Sequence, residues 1–395
     1  MSASCYTPLT CPQCGAHLPS FEETVICSYC SAHLIRNRAP AAPGSKEVDG
    51  PLVQGLRLKT FVCTDSQGTG MEAFRMLIPA GWQTQGGVYW QNTNPGSPAA
   101  IHFRMFDPNG LHAFTILPHQ PFYWSNDPFT RMTFPLGSQY FGNEVRPPLA
   151  AQQALREIIV PRFRNVPGLQ VAGEEHLPDL PSKLRAIRPG GGNGASGADG
   201  AKICIRYPEN GQAAEEEIYA VTEYSKQQMP AMFGVFETVL WVIDYLIAFR
   251  TGAGQLAENR IFFQTLLHSF RLEPNWYARV MQISQYLIQN QMQQINNIGQ
   301  LSRYISQTQN QVSDMIMDSY HQRQQVMDHL ADRFSQAIRG VEAYYDPNQG
   351  ANVELPSGYG HAWSNALGEY VVSDDPNFNP NLGSTNNWTP IQRND

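Results

Sequence analysis

Four cysteines stand in two pairs, Cys11-Pro12-Gln13-Cys14 and Cys27-Ser28-Tyr29-Cys30, with twelve residues between the pairs. A Cys-x-x-Cys pair on a tight turn aims two thiolates at one point. Two such turns face to face close a tetrahedron of sulfur. Four soft anionic ligands with no open position suit one Zn2+ per chain, held for structure. The same cysteines could carry an iron–sulfur site or a redox pair. His17 and His33 follow the pairs at matching places, but four thiolates already fill the shell, so both read as packing or hydrogen-bonding residues. So short a segment buries little apolar surface, and metal binding would supply its folding energy, on the order of 10 kcal/mol. Cys5, Cys63 and Cys204 lie outside the pairs and read as inert thiols.

The pairs also repeat internally: Cys14-Gly15-Ala16-His17-Leu18 is echoed by Cys30-Ser31-Ala32-His33-Leu34. This two-knuckle symmetry over residues 8–36 resembles the zinc-ribbon family. The resemblance implies a module that binds nucleic acid or protein, or that caps a domain. Over residues 1–50, Arg36, Arg38 and Lys46 face Glu22, Glu23, Glu47 and Asp49. Phosphate binding needs a clear excess of base. That balance, and a net charge of −7 for the whole chain, favour a protein contact over nucleic acid.

Other chemistry is hard to find. Gly192, Gly194 and Gly197 spell a GxGxxG, but Pro189 precedes them where a strand should, and a strand follows where a helix should. The stretch reads as a surface loop. Ser125 has no nucleophile-elbow context. His102, His112 and His119 fall in or near one hairpin without a partner motif, and there is no HExxH. Glu215-Glu216-Glu217 reads as a solvated charge run. No catalytic constellation is visible, so a non-enzymatic protein is expected.

The elements around these residues point to an α+β fold. Residues 1–36 form the zinc module and 37–51 a linker rich in Ala, Pro and Gly. Residues 52–272 form one α/β body. Its strands include Glu72 to Ile78, Val88 to Trp90, Ala99 to Phe106 and Leu111 to Leu117, the last two joined by the turn Asp107-Pro108-Asn109-Gly110. Pro208-Glu209-Asn210-Gly211 marks a second hairpin. Val239 to Phe249 is a near-continuous apolar run, as a buried central strand would be. Leu149 to Phe163 and Gln255 to Phe270 read as helices. An antiparallel sheet with helices on it follows. Phe74 to Trp82, then Gly87 to Trp90, then the hairpin turn at Asp107 make this body resemble the PsbP-like fold, which implies a non-enzymatic binding or assembly role. The aromatic segment 118–147 is expected to fold over the sheet.

Residues 273–345 contain one proline, Pro274, at their start, and two glycines, Gly299 and Gly340. Ile288, Met292, Ile295, Ile298, Leu301, Ile305, Val312, Met315, Val326, Leu330, Phe334, Ile338 and Val341 recur at helical steps. One long rod is predicted, or two helices broken near Gly299, reaching on the order of 100 Å if continuous. Its single seam would be covered by a second copy in a coiled coil, by another protein, or by its own body.

The tail, 346–395, is acidic and aromatic. Leu355 to Tyr359, Gly368 to Val371 and Trp388 to Pro390 faintly resemble the WW family, though Tyr359 stands where that family has tryptophan and the segment Asp374 to Ser384 is too long and proline-rich. A hairpin at 360–373 and an extended arm anchored on another subunit by Asn379, Pro380, Asn381 and Trp388 are expected instead.

No basic, apolar leader opens the chain, and no apolar run reaches the eighteen or so residues of a membrane span. The reading is a cytoplasmic scaffold with one structural zinc, which oligomerises or holds a partner protein through its long helix and tail. A ribbon-based nucleic-acid factor and an enzyme using a cleft in the body are the alternatives.

Overall fold

A computed structural model of the 395-residue chain describes residues 24–26, 33–35, 56–91, 93–178, 196–231, 234–290, 297–308, 312–334, 341–382 and 384–393. The linker 37–51 lies outside them.

The strands and helices alternate irregularly along the chain. First come β1 (Thr24–Ile26) and β2 (His33–Ile35), a small antiparallel hairpin. The body opens with β3 (Leu56–Thr64), β4 (Glu72–Pro79), β5 (Gln83–Trp90), β6 (Ala99–Phe106), β7 (Ala113–Ile116) and β8 (Gln120–Ser125). Helix α1 (Pro128–Thr133), β9 (Gln139–Tyr140) and β10 (Asn143–Val145) make up an arm that joins the sheet where β10 pairs with β8. Helix α2 joins Ala151–Ala154, a π turn at Leu155–Ile159 and Val160–Phe163. Then follow β11 (Gln170–His176) and three long strands or hairpin arms, β12 (Ser196–Glu209), β13 (Gln212–Ala231) and β14 (Gly234–Gly252). Helix α3 (Arg260–His268) and β15 (Arg271–Leu272) lead to α4 (Pro274–Gln289), α5 (Ile298–Thr308) and α6 (Asp314–Phe334). The tail holds β16 (Val341–Asp346), β17 (Ala351–Pro356), β18 (His361–Ser364), β19 (Glu369–Ser373), β20 (Thr389–Pro390) and β21 (Gln392–Arg393).

The fold is α+β and dominated by sheet. The largest sheet runs β11-β12-β13-β14-β7-β6-β5, with β8 also on β14 and β10 and β9 beyond it. A second runs β15-β4-β3-β19-β18-β20, and a third β17-β16-β21. The β12–β13 turn is tight because Asn210 and Gly211 both take positive φ, 51° and 77°, the geometry of a two-residue hairpin loop.

Strand β14 carries the apolar run because both its faces are covered. Val239, Trp241 and Ile243 face the α2 side, where Ala154, Leu155 and Ile159 pack. Leu246 and Ala248 continue that same face, while Tyr245, Ile247 and Phe249 face the second sheet and α3. The alternation therefore slips by one residue. The slip is a β-bulge: Tyr219 pairs with Ile247, but Val221 pairs with Asp244, so β14 holds one residue more than β13. Tyr245 absorbs it at φ 53°, a left-handed conformation unfavourable for a bulky side chain.

The long rod is not what forms. The described residues of 274–334 make three helices that fold back on the body. Helix α6 docks through Tyr320, whose hydroxyl donates to the Leu272 carbonyl (3.1 Å), and Gln324, whose amide donates to that of Phe270 (3.0 Å). Val326 and Leu330 are buried in the main core, and Ile298 and Ile305 of α5 pack on Ile283 and Leu287 of α4. The seam is covered largely from within. Ile288, Val312 and Met315 are members of the apolar series left exposed. Met292, Ile295 and Ile338 lie outside the described residues.

The tail is likewise part of the body. The expected hairpin forms as β18–β19, and β19 then pairs with β3, setting Tyr370 beside Leu58 and Glu369 beside Lys59. Arg57 and Glu369 close the pair with a 2.7 Å ion pair. Trp388, the expected anchor, packs within its own chain, buried against Trp363, Val371 and Phe378.

Candidate functional site

The bulge in β14 organises the surroundings. Strand β7 pairs with β14 on one side of it and β8 on the other. The link between them, Leu117 to His119, crosses opposite the bulge, held by the Leu117 N–H on the Leu246 carbonyl (2.8 Å). His119 is thereby brought to the bulge, where α4 and α6 cover the sheet. A cavity of about 530 Å3 lies there, lined by His119, Ser97, Asp244, Tyr245, Tyr277 and Arg323 among others.

Each polar group has a defined support. Ser97 sits on the loop between β5 and β6, and its N–H donates to the side-chain oxygen of the buried Asn94 (3.0 Å). Ser284 of α4 donates to the Pro95 carbonyl (2.9 Å), tying that loop to the helix. The Ser97 hydroxyl and His119 Nε2 are 2.5 Å apart. Burial lowers the His119 pKa below its ordinary value; the Asp244 charge opposes this and the Arg323 charge adds to it. The imidazole is therefore neutral at neutral pH. Arg323 of α6 grips both oxygens of Asp244, at 2.7 and 3.0 Å, and lies 5.0 Å over the Tyr245 ring. The Tyr245 phenol is pushed well up, by burial first. Asp244 also accepts the Tyr245 N–H at 2.7 Å, which holds the bulge residue in place.

A serine hydroxyl against a neutral imidazole is the beginning of a nucleophile–base pair. The rest of an acyl-transfer site does not follow. In a nucleophile elbow the residue after the serine gives an N–H to the oxyanion hole, and here that residue is Pro98, which has none. The N–H of Ser97 itself is taken by Asn94. Asp244 is committed to Arg323. The arrangement suits holding a ligand better than attacking one.

The cysteines expected to hold zinc, Cys11, Cys14, Cys27 and Cys30, lie outside the described residues, as does His17. The described strands on either side pair antiparallel, Ile26 with His33. Among the described residues no group of three or more His, Cys, Asp or Glu could hold a metal ion. Cys63 is buried and Cys204 half-buried, both free. Burial, with the Glu215 and Glu217 charges, pushes the Cys204 thiol up to about 12, as befits an inert thiol.

Glu215, Glu216 and Glu217 are not a solvated run, and all three are buried. Glu216 accepts two hydrogen bonds from Arg164 (2.7 and 2.6 Å) and one from the Tyr207 hydroxyl (2.7 Å). Glu215 takes Arg206 and the Gly254 N–H, and Glu217 the Tyr219 hydroxyl. Gly192 and Gly194 lie outside the described residues. Gly197 belongs to β12 and packs under Tyr224, whose hydroxyl would stand 2.3 Å from a Cβ there, so close packing explains that glycine.

The aromatic segment 118–147 meets its expectation only in part. Phe122 and Tyr123 are core, but Phe129, Met132 and Leu136 are 71%, 76% and 66% exposed, and Phe141 is exposed beside them in sequence. Among the described residues no helix is long and apolar enough to cross a membrane. No family model matches the chain, and no curated protein matches it.

Proposed function

We propose that the protein is a non-enzymatic assembly protein that pairs with a second copy of itself through the arm at residues 128–141, and carries a structural zinc on Cys11, Cys14, Cys27 and Cys30. The carrying observation is the exposure of Phe129, Met132 and Leu136 on one short arm. Three large apolar side chains concentrated in this way mark an interaction site more often than a bare surface. Residues 128–141 of the arm bear a single charge, Arg131, so two such segments meet with little repulsion, and a two-fold contact of like with like is the commonest form of assembly. The long helix and tail, first candidates for this role, have their apolar faces largely engaged within the chain.

Light scattering on the full chain tests the reading. Dimers are expected for the wild type, and Phe129→Asp with Met132→Asp should leave folded monomers that still melt cooperatively, with a midpoint that no longer rises with protein concentration. A wild type that is monomeric at about 100 μM, a hundred times a typical micromolar dissociation constant, defeats it. The zinc is checked separately by metal analysis: about one zinc per chain, lost in Cys11→Ser or Cys30→Ser.

A further inference from the structure

The cavity at the bulge is not used by the arm, and Tyr245 in its wall indicates what it would hold. This residue is only 6% exposed. Its backbone is fixed by the bulge, at φ 53° and with the N–H on Asp244. Its hydroxyl has no hydrogen-bond partner among the described residues. A buried phenol ordinarily finds one. Tyr277, in the same cavity, shows the ordinary case, with its hydroxyl 2.7 Å from that of Ser319. Burial pushes the Tyr245 phenol far up, so it stays protonated and able to donate.

The charges around the cavity are satisfied within the protein. Arg323 holds both oxygens of Asp244 and covers the Tyr245 ring, and Glu223 is engaged in the chain as well. His119 is neutral at neutral pH. A charged ligand would shed water here and meet no free counter-charge, a cost that an uncharged one avoids. Much of the remaining wall is apolar, with Trp276 and Val280 of α4 and Leu240 and Val242 of β14. Ser97 can accept one more hydrogen bond whichever way it shares a proton with His119, because a hydroxyl oxygen has two lone pairs. A volume of about 530 Å3 falls in the range of small-molecule sites.

We propose that this cavity binds an uncharged, largely apolar molecule whose carbonyl or alcohol oxygen accepts a hydrogen bond from the Tyr245 hydroxyl. Calorimetry on the full-length protein with three probes of one shape tests it: 4-phenylbutan-2-one, 3-phenylpropionate and 4-phenylbutan-2-amine. The ketone should bind saturably and both ions at least about tenfold more weakly, since each must lose water without gaining a counter-ion. Tyr245→Phe keeps the ring under Arg323 and should weaken the ketone about fivefold, the scale of one neutral hydrogen bond. Its thermal midpoint without ligand should stay the same or rise, because no bond within the protein is lost. Val242→Trp, which fills the space, should abolish binding of every probe. Equal or tighter binding of either ion overturns the proposal. So does a ketone affinity that Tyr245→Phe leaves unchanged, or a thermal midpoint that Tyr245→Phe lowers, which would mean that the hydroxyl already has a partner. No saturable ketone binding up to about 5 mM, above a millimolar dissociation constant, also overturns it, as does binding that survives Val242→Trp. None of these outcomes bears on the oligomeric state, so this proposal and the arm stand or fall separately.

Discussion

Glu216 shows how much one residue's meaning depends on its partners. Three consecutive glutamates look solvated, and nothing nearby in sequence says otherwise. The residue that pairs with Glu216, Arg164, is 52 positions away, at the end of α2. Burial alone would raise the Glu216 pKa, but the Arg164 charge and hydrogen bonds, with the Tyr207 hydroxyl, outweigh it and leave the carboxyl below its ordinary value. A depressed carboxylate contributes stability that is complete above its unfolded pKa, about 4.3, and is lost as pH falls through the lower folded value. Stability of the wild type should therefore drop in acid below about pH 4, and Glu216→Gln should flatten that part of the profile in urea melts. Glu216→Ala should cost about 3–5 kcal/mol at pH 7, because it strands Arg164 as a buried charge. A loss under about 1 kcal/mol, the scale of an exposed pair, would contradict the burial. The cavity residues were legible only in part. Asp244 is the lone acid in the apolar run Val239 to Phe249, and His119 a histidine near a hairpin. Their meeting with Ser97 and Arg323 was invisible, since it depends on the bulge and on where α6 docks.

Elements were read more easily than their junctions. Turn chemistry at Asp107 to Gly110 and at Pro208 to Gly211 located two hairpins, and the length of the apolar run located the central strand. These are local signals. The bulge has none, because one extra residue in β14 changes facing without changing composition. Asp65 is another junction of this kind. It lies at the end of β3 in the turn toward β4, is almost fully buried, and accepts the indole N–H of Trp90 from β5 (3.0 Å) and of Trp276 from α4 (3.1 Å). Its second oxygen also takes the N–H and hydroxyl of Thr69, each at 2.9 Å. One carboxylate thus fixes a turn, a strand of the large sheet and the helix that roofs the cavity. Asp65→Ala leaves two buried indole donors without partners, each costing about 1–3 kcal/mol. A loss of about 3–5 kcal/mol is expected in denaturant melts, whereas Leu367→Ala, on an exposed turn, should change stability by less than about 0.5 kcal/mol.

At the scale of the whole molecule the decisive matter is how the last third of the chain is used. A seam of apolar residues at helical spacing says that something must cover it, and says nothing of whether the cover is another chain or the same one. The choice rests on contacts far apart in sequence, such as the Gln324 amide on the Phe270 carbonyl and β19 on β3. The closure has a consequence that separates it from a projecting rod. Were residues 273–395 an appendage, cutting after Leu272 would release a folded body. Here the cut removes Trp276, Val280, Val326 and Leu330 from the main core, together with Tyr344, Tyr370 and Val372. It also strips β3 of its neighbour, leaving an open edge between apolar faces. Burying a large apolar side chain is worth about 1.5–3 kcal/mol, so losing seven forfeits about 10–20 kcal/mol, comparable to or larger than the roughly 5–15 kcal/mol that a whole domain holds in reserve. Residues 1–272 expressed alone should therefore lack near-ultraviolet circular dichroism and a cooperative melt, and should bind a hydrophobic dye, while the full chain does neither. A soluble fragment with a sharp thermal transition would mean that the helices and tail are attached to the body without completing it.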